Sequence, residues 1–155
     1  MIDIYTDGAC EPNPGSGGWA FVVYRDGLEV NNRNGGDLET TNNIMEMSGV
    51  LAALEYAKSA AFNPHAVTVY SDSQYVVRGC NEWRHGWQRK GWSRGKNTLA
   101  NSGLWQTIAE AHDAFPCKIE WVRGHSGVPG NERADVLAAK GRAYVMSRAM
   151  EREIL

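Results

Sequence analysis

The chain has no Cys-x-x-Cys pair, and its three cysteines, Cys10, Cys80 and Cys117, stand far apart. Neither a zinc site nor a disulfide framework is indicated, and reduced thiols suit a cytosolic setting. No apolar run approaches the ~20 residues of a membrane helix. No basic leader precedes an apolar run at the N-terminus. The expectation is a cytoplasmic protein with no membrane partner. An excess of positive charge is missing too: 16 Lys and Arg face 18 Asp and Glu, for a net charge of −2. Affinity for a polyanion must therefore come from local charge and not from the whole molecule. Internal repeats, low-complexity runs and domain linkers are absent. What remains, 155 residues with 43% hydrophobic and 22% charged content, is the make-up of one ordinary globular domain.

Ile2, Ile4 and Thr6 alternate with Asp3, Tyr5 and Asp7, the period of a strand. Gly8 is expected to end it, since Pro12, Asn13, Pro14, Gly15, Gly17 and Gly18 follow as turn residues. Asp7 would then stand at a strand end. Ala66 to Ser71 repeats the pattern and delivers Asp72. Gly18 to Tyr24 reads as a strand, Arg25-Asp26-Gly27 as a hairpin turn, and Leu28 to Gly36 as a polar returning strand. Short links favour antiparallel pairing of these first three strands. A helix is predicted from the Thr40–Asn43 cap region to about Ala61, with Met47, Val50, Leu51, Leu54, Ala57 and Ala61 on one face. Strand, long helix, strand is the pattern of a crossover onto a parallel neighbour.

Ser73 to Cys80 reads as a short helix. The stretch from Glu82 to Lys96 then holds three of the six tryptophans with Arg84, Arg89, Lys90, Arg94 and Lys96. Cations interleaved with indoles suit a sugar-phosphate backbone; equally, Trp83 and Trp87 at i, i+4 suit inward packing. Asn101 to Phe115 is a helix, with Leu104, Ile108, Ala111 and Phe115 along one face. Cys117 to Arg123 is a last strand. The loop Gly124–Gly130 carries His125, and Asn131 is expected to cap a final helix with Ala134, Leu137 and Ala138 inward.

Asp7, Glu46, Asp72 and Asp135 each have an ordinary explanation as a cap or a helix-dipole partner. Together they can share one end of the sheet. Four close carboxylates repel unless cations neutralise them. Mg²⁺ takes carboxylates, waters and substrate phosphate as ligands, and a pair of such ions can hold both oxygens of an in-line phosphoryl displacement.

At this point the residues match a family pattern. From about Ile2 to Ala139 the chain resembles type 1 ribonuclease H, which cuts the RNA strand of RNA–DNA hybrids. Five signposts stand in order: Thr6-Asp7-Gly8-Ala9-Cys10 with Asn13-Pro14-Gly15; Thr41-Asn42-Asn43-Ile44-Met45-Glu46; Ser71-Asp72-Ser73-Gln74-Tyr75; Trp121 to Gly127; and Asn131-Glu132-Arg133-Ala134-Asp135. The resemblance implies an α/β fold with a mixed five-stranded sheet flanked by helices, its first three strands antiparallel and its later strands parallel to the first. It implies a catalytic domain over residues 1–141, with 142–155 a tail or helix extension. It further implies that Asp7, Glu46, Asp72 and Asp135 bind two Mg²⁺ ions, with Mn²⁺ an alternative, one activating water and one stabilising the leaving 3′ oxygen. Products would carry 5′-phosphate and 3′-hydroxyl ends. His125 matches the histidine assigned to proton transfer or product release. Cys10, Asn13, Asn43 and Gln74 would lie along the hybrid's minor groove, where the 2′-hydroxyl marks RNA, and Asn42 would also bind substrate. Thr41 would hold a phosphate of the DNA strand, and Trp83, Trp87, Arg89, Lys90 and Trp92 would contact that strand. Two departures touch affinity: Ile44 stands where many bacterial relatives have arginine, and the basic stretch is less lysine-rich. A monomer is expected, and a replication-protein partner is left open. A nuclease for another duplex and a non-catalytic hybrid-binding module are the competing readings; the second predicts loss of a metal carboxylate, and all four are present.

Overall fold

Alternation in the second strand decides how the molecule is layered. Phe21 and Val23 face one side of the sheet, Ala20 and Val22 the other, and all four are buried. A strand that is apolar on both sides needs cover on both. The computed structural model describes residues 1–94 and 96–154. In chain order it has β1 (Ile2–Cys10), β2 (Gly15–Arg25), β3 (Leu28–Thr40), α1 (Asn42–Ser59), β4 (Val67–Ser71), α2 (Gln74–Arg78), α3 (Arg84–Arg89), a small hairpin β5 (Ser93–Arg94) and β6 (Asn97–Thr98), α4 (Ser102–Ala114), β7 (Lys118–Trp121) and α5 (Pro129–Ile154).

The main sheet runs β3-β2-β1-β4-β7. β1, β2 and β3 pair antiparallel, and β4 lies parallel to both β1 and β7. This is the mixed sheet expected from the sequence. The larger core joins Ile4, Phe21, Val69 and Ile119 of the sheet to Met47, Val50 and Leu54 of α1, Val76 of α2 and Trp105 and Ile108 of α4. Among the described residues, α5 covers the other face, where Ala134, Leu137 and Ala138 meet Ala20 and Val22. Thr41 caps α1 by accepting from the Ile44 amide at 3.2 Å. Ala61 lies past the end of that helix at φ +57° and is exposed, not on its buried face. No described helix is long and apolar enough to cross a membrane, and all three cysteines are free and buried.

Element ends and one core position differ from expectation, and β3 runs on past Gly36 to Thr40. β1 does not stop at Gly8 but pairs with β2 as far as Cys10. Glycine there is a point of close approach: a Cβ on Gly8 would run into the backbone of Met45 and Glu46. α2 does not end before the basic stretch, because a π-helical turn, Gly79–Trp83, carries it into α3. On α4 the fully buried residue beside Ile108 is Trp105, while Leu104 and Ala111 are only partly covered. The indole sits over Gly79, where an added Cβ would strike its ring.

Trp105 ties α4 to the connection that follows β4. Its Nε1 donates to the Tyr75 hydroxyl at 3.0 Å, and its ring centre lies 5.2 Å from that of Trp87. Trp105→Ala is expected to cost about 3–5 kcal/mol of stability, read as a lower urea midpoint; an unchanged midpoint would show that the indole carries little of the core.

Candidate active site and nucleic-acid interface

Parallel pairing of β1 and β4 aligns Ile2 with Val67 and Tyr5 with Tyr70. Continued two residues further, the same register sets Asp7 level with Asp72 at one end of the sheet. The close approach of α1 at Gly8 puts Glu46, in the second turn of that helix, beside Asp7. One oxygen from each of Asp7, Glu46 and Asp72 lies within 4.8 Å of the others. Asp135, in the second turn of α5, comes within side-chain hydrogen-bonding reach of Asp7. All four line one cleft of about 340 Å³, together with Gly8, Ala9, Asn42, Asn43, Ser73 and His125.

Asp7 is only 5% exposed. Burial, then the charges of Asp72 and Asp135, push its carboxyl up to about 8, against a smaller opposing pull from the Gly8 amide. Burial and the neighbouring Asp7 and Asp72 likewise hold Glu46 well above the ordinary glutamate range. Glu46 Oε2 is buried with no hydrogen-bond partner. A buried acceptor left unpaired is costly unless something satisfies it. The donor set, all carboxylate oxygen, fits a hard divalent cation.

The loop after β7 closes the cleft. Gly124 packs against the Asp72 carboxyl, where a Cβ would come within 2.7 Å of Oδ2. That approach carries His125, exposed and at φ +53°, to the mouth of the cleft. Asn131 does not cap α5, as the sequence suggested; the helix starts two residues earlier at Pro129. Asn131 is 3% exposed, and its Nδ2 donates to Asp72 Oδ2 at 3.3 Å. Nothing in the Asn-Glu-Arg sequence separates a capping asparagine from one aimed inward.

On the flank toward β2, the Asn42 side chain accepts from the Cys10 amide at 2.7 Å, and the Asn42 amide donates to Asn13 Oδ1 at 3.2 Å. Cys10 is 7% exposed, with its thiol on the carbonyls of Pro12 and Thr40 at 3.1 and 3.3 Å. Its side chain is thus turned inward. Asn13, Asn42 and Asn43 are exposed. Thr41 and Ile44 border a groove of about 480 Å³ with Pro14, Gly15, Glu39 and Thr40; Glu39 adds a negative charge there that sequence reading had passed over.

On the other flank, α2 joins the cleft to an aromatic cavity of about 420 Å³ lined by Tyr75, Trp83, Trp87, Arg94, Leu99 and Ala100. Gln74, exposed, lies between Ser73 of the cleft and Tyr75 of the cavity. Trp83 and Trp87 are 6.0 Å apart, and the Arg78 guanidinium stands 5.1 Å over Trp83. Trp87 and Trp92 also rest against the main core, so the indoles serve packing and surface together. Arg89, Lys90, Arg94 and Lys96 are exposed. Arg84 is not part of this cationic surface: it is 7% exposed, 3.0 Å from Asp113, and donates to the Ala109 carbonyl.

Acidic side chains gathered around an unsatisfied oxygen, in a cleft beside a basic aromatic flank and exposed asparagines, are the arrangement that the class of metal-dependent nucleases requires. Comparison with known proteins makes that class specific. The RNase H family model matches residues 1–143. Ribonuclease H of Acidovorax sp. is 49% identical over 96% of this chain and 99% of its own. Ribonuclease H of Cupriavidus metallidurans is 46% identical over 93% of this chain and 97% of its own. The crystal structure of LC9-RNase H1, a type 1 RNase H with the type 2 active-site motif, superposes with a TM-score of 0.81 at 29% identity, covering 92% of this chain and 72% of that one. The chain belongs to the RNase H family.

The buried acids make stability depend on pH. Asp7 keeps its proton to about 8 in the fold, against an ordinary value of 3.8. Between those values the native state holds a proton that the unfolded chain has released. The Asp7 contribution to stability without metal is therefore fullest at the acid end and falls as pH rises toward 8, by on the order of 1.4 kcal/mol per pH unit where the difference is one whole proton. Millimolar divalent cation is expected to flatten this fall, followed by Tm from pH 5 to 8 with and without EDTA. A metal-free Tm that climbs over this range would contradict the assignment.

Proposed function

We propose that this protein is an endoribonuclease that hydrolyses the RNA strand of RNA–DNA hybrids, with two divalent cations, Mg²⁺ first among them, and leaves 5′-phosphate and 3′-hydroxyl ends. The observation that carries the reading is the unpaired Glu46 Oε2 amid the Asp7 and Asp72 carboxylates, in a chain of this family. Asp7, Glu46, Asp72 and Asp135 would hold the ions, which when bound would activate a water for in-line attack and neutralise the leaving 3′ oxygen.

The chain's own groups do the rest. Asp7 and Glu46 give up their protons as positive charge arrives, since the repulsion that raised them is then offset. Asn131 fixes one oxygen of Asp72 and so the direction in which that carboxylate points. His125, at the cleft mouth on a loop bounded by Gly124 and Gly127, takes or gives a proton as product leaves. Asn13, Asn42, Asn43 and Gln74 present amides along the line a minor groove would follow, and an amide can both donate to and accept from a 2′-hydroxyl. Cys10 contributes its main chain to this row. Thr41 holds a DNA phosphate, while Trp83, Trp87, Arg89, Lys90 and Trp92 seat the DNA strand.

The test is a labelled RNA–DNA hybrid beside duplex RNA and duplex DNA, with Mg²⁺ and then with EDTA. Cleavage is expected of the hybrid alone, only with metal, and Asp7→Asn is expected to lower its rate by about 100-fold or more, the scale of losing several kcal/mol of charge stabilisation. Cutting that survives EDTA would sink the metal mechanism. Equal cutting of all three duplexes would sink the substrate assignment. Lys90→Ala should weaken hybrid binding alike for all sequences and reduce the salt slope by about one; an unchanged slope would make the protrusion a packing element only.

A further inference from the structure

The family model matches as far as residue 143, and the nuclease proposal gives the residues beyond 141 no task. α5 nevertheless passes that point unbroken and continues to Ile154. Its depth on the sheet is set by glycine. A Cβ on Gly18 would strike the Ala138 carbonyl and the Arg142 amide, one on Gly36 would meet the Gly141 carbonyl, and one on Gly141 would strike the backbone of Gly35. Helix and strands thus touch backbone to backbone just where Arg142 begins the next turn.

At that depth Arg142 reaches the link between β1 and β2. Its Nε donates to the Ser16 carbonyl at 3.2 Å and to Ser16 Oγ at 3.1 Å, and an Nη2 donates to the Glu11 carbonyl at 2.6 Å. Glu11 and Ser16 also bond to each other, amide to carbonyl at 2.9 Å. The guanidinium therefore ties Glu11, at the start of the link, to Ser16 at the beginning of β2, on either side of the exposed residues 12–14. Asn13 sits in that middle and accepts from the Asn42 amide at the start of α1. A continuous set of contacts runs from α5 through Arg142 and the link to the amide row beside the cleft.

We propose that Arg142 is a positioning residue for substrate binding: by holding Glu11 and Ser16 together it fixes Asn13 where the minor groove is met. This rests on the hybrid-nuclease reading. An arginine is required because the acceptors are three and spread over two residues, which the guanidinium's planar fork of donors can span and a lysine's single ammonium spans poorly. The expected consequence is on substrate affinity and not on the chemical step, because the clamp reaches none of the four carboxylates.

The test uses the full chain and the variants Arg142→Ala and Arg142→Lys, with steady-state kinetics on the hybrid at fixed Mg²⁺ and amide hydrogen exchange without substrate. KM is expected to rise about five- to tenfold in Arg142→Ala, the scale of losing charge-assisted hydrogen bonds, with kcat within about twofold. Arg142→Lys is expected to recover part of the loss. Exchange should quicken in residues 11–16 ahead of α5. An unchanged KM with active wild type would overturn the role of Arg142. So would kcat and KM effects that follow only the fraction folded, or exchange that quickens in α5 and leaves 11–16 protected. A wild-type protein that leaves the hybrid intact would overturn the nuclease reading itself, which is a separate result from a variant that matches an active parent.

Discussion

Four carboxylates held together repel one another, and burying them makes the repulsion stronger because little water remains to screen it. This protein tolerates the arrangement because the acids are attached to parts that are stable for other reasons. Asp7 and Asp72 ride on parallel strands whose inward neighbours, Ile4 and Val69, are fully buried. Glu46 rides on a helix anchored by Met47, Val50 and Leu54, and Asp135 on one anchored by Ala134, Leu137 and Ala138. Apolar burial of this size outweighs the strain of one acidic cluster. The cluster answers the strain by keeping protons on Asp7 and Glu46. A cation bound at such a site would have to displace these protons, so any metal affinity there would grow as pH rises.

Closeness of backbone decides whether the acids meet at all. Three of the elements bearing or flanking them are brought in at glycine: α1 at Gly8, the loop with His125 at Gly124, and the start of α5 at Gly130, which lies against the Tyr5 ring. Each replaces a side chain's width of separation with direct contact. A larger residue at any of these points would leave the fold recognisable and move one acid or the histidine away from the rest. Specific geometry is thus concentrated in residues that have no functional group of their own.

The sequence disclosed those parts of the fold that depend on period and those parts of the site that depend on residue type. Alternation placed Asp7 on a strand and Asp72 at the end of another, and helical spacing placed Ile108, Leu137 and Ala138 inward, because burial repeats with the geometry of each element. It was silent where one residue has two equally ordinary uses. Asn131 reads as a cap, yet is buried against Asp72. Arg84 reads as one more cation of the basic stretch, yet is spent on Asp113. Gly8 reads as a strand end, yet continues the strand and admits a helix. The deciding partners are Asp72 for Asn131, Asp113 for Arg84, and both Trp19 and the Met45 backbone for Gly8, and no local pattern carries that information. Arg142 is of the same kind: its acceptors are 126 and 131 residues back along the chain.

Charge is distributed along this surface in a way that the net value of −2 hides. The acidic cleft lies between Arg89, Lys90, Arg94 and Lys96 on one flank and Thr41, Ile44 and Glu39 on the other. A polyanion meeting this face finds attraction on the first flank, repulsion at the cleft until cations fill it, and little charge to hold on the second. In the proposed reaction the first flank takes the DNA strand, so binding energy is drawn mainly from the strand that is not cut. The RNA strand then has to be recognised by hydrogen bonds from Asn13, Asn42, Asn43 and Gln74, which are directional and fail if the groups shift by an ångström. Long-range attraction tolerates a loose support, whereas a row of amides does not. That difference gives a reason for the bracing around Asn13 and Asn42, from Asn42 on the Cys10 amide to the Arg142 contacts of the helix that reaches across from the far face of the sheet.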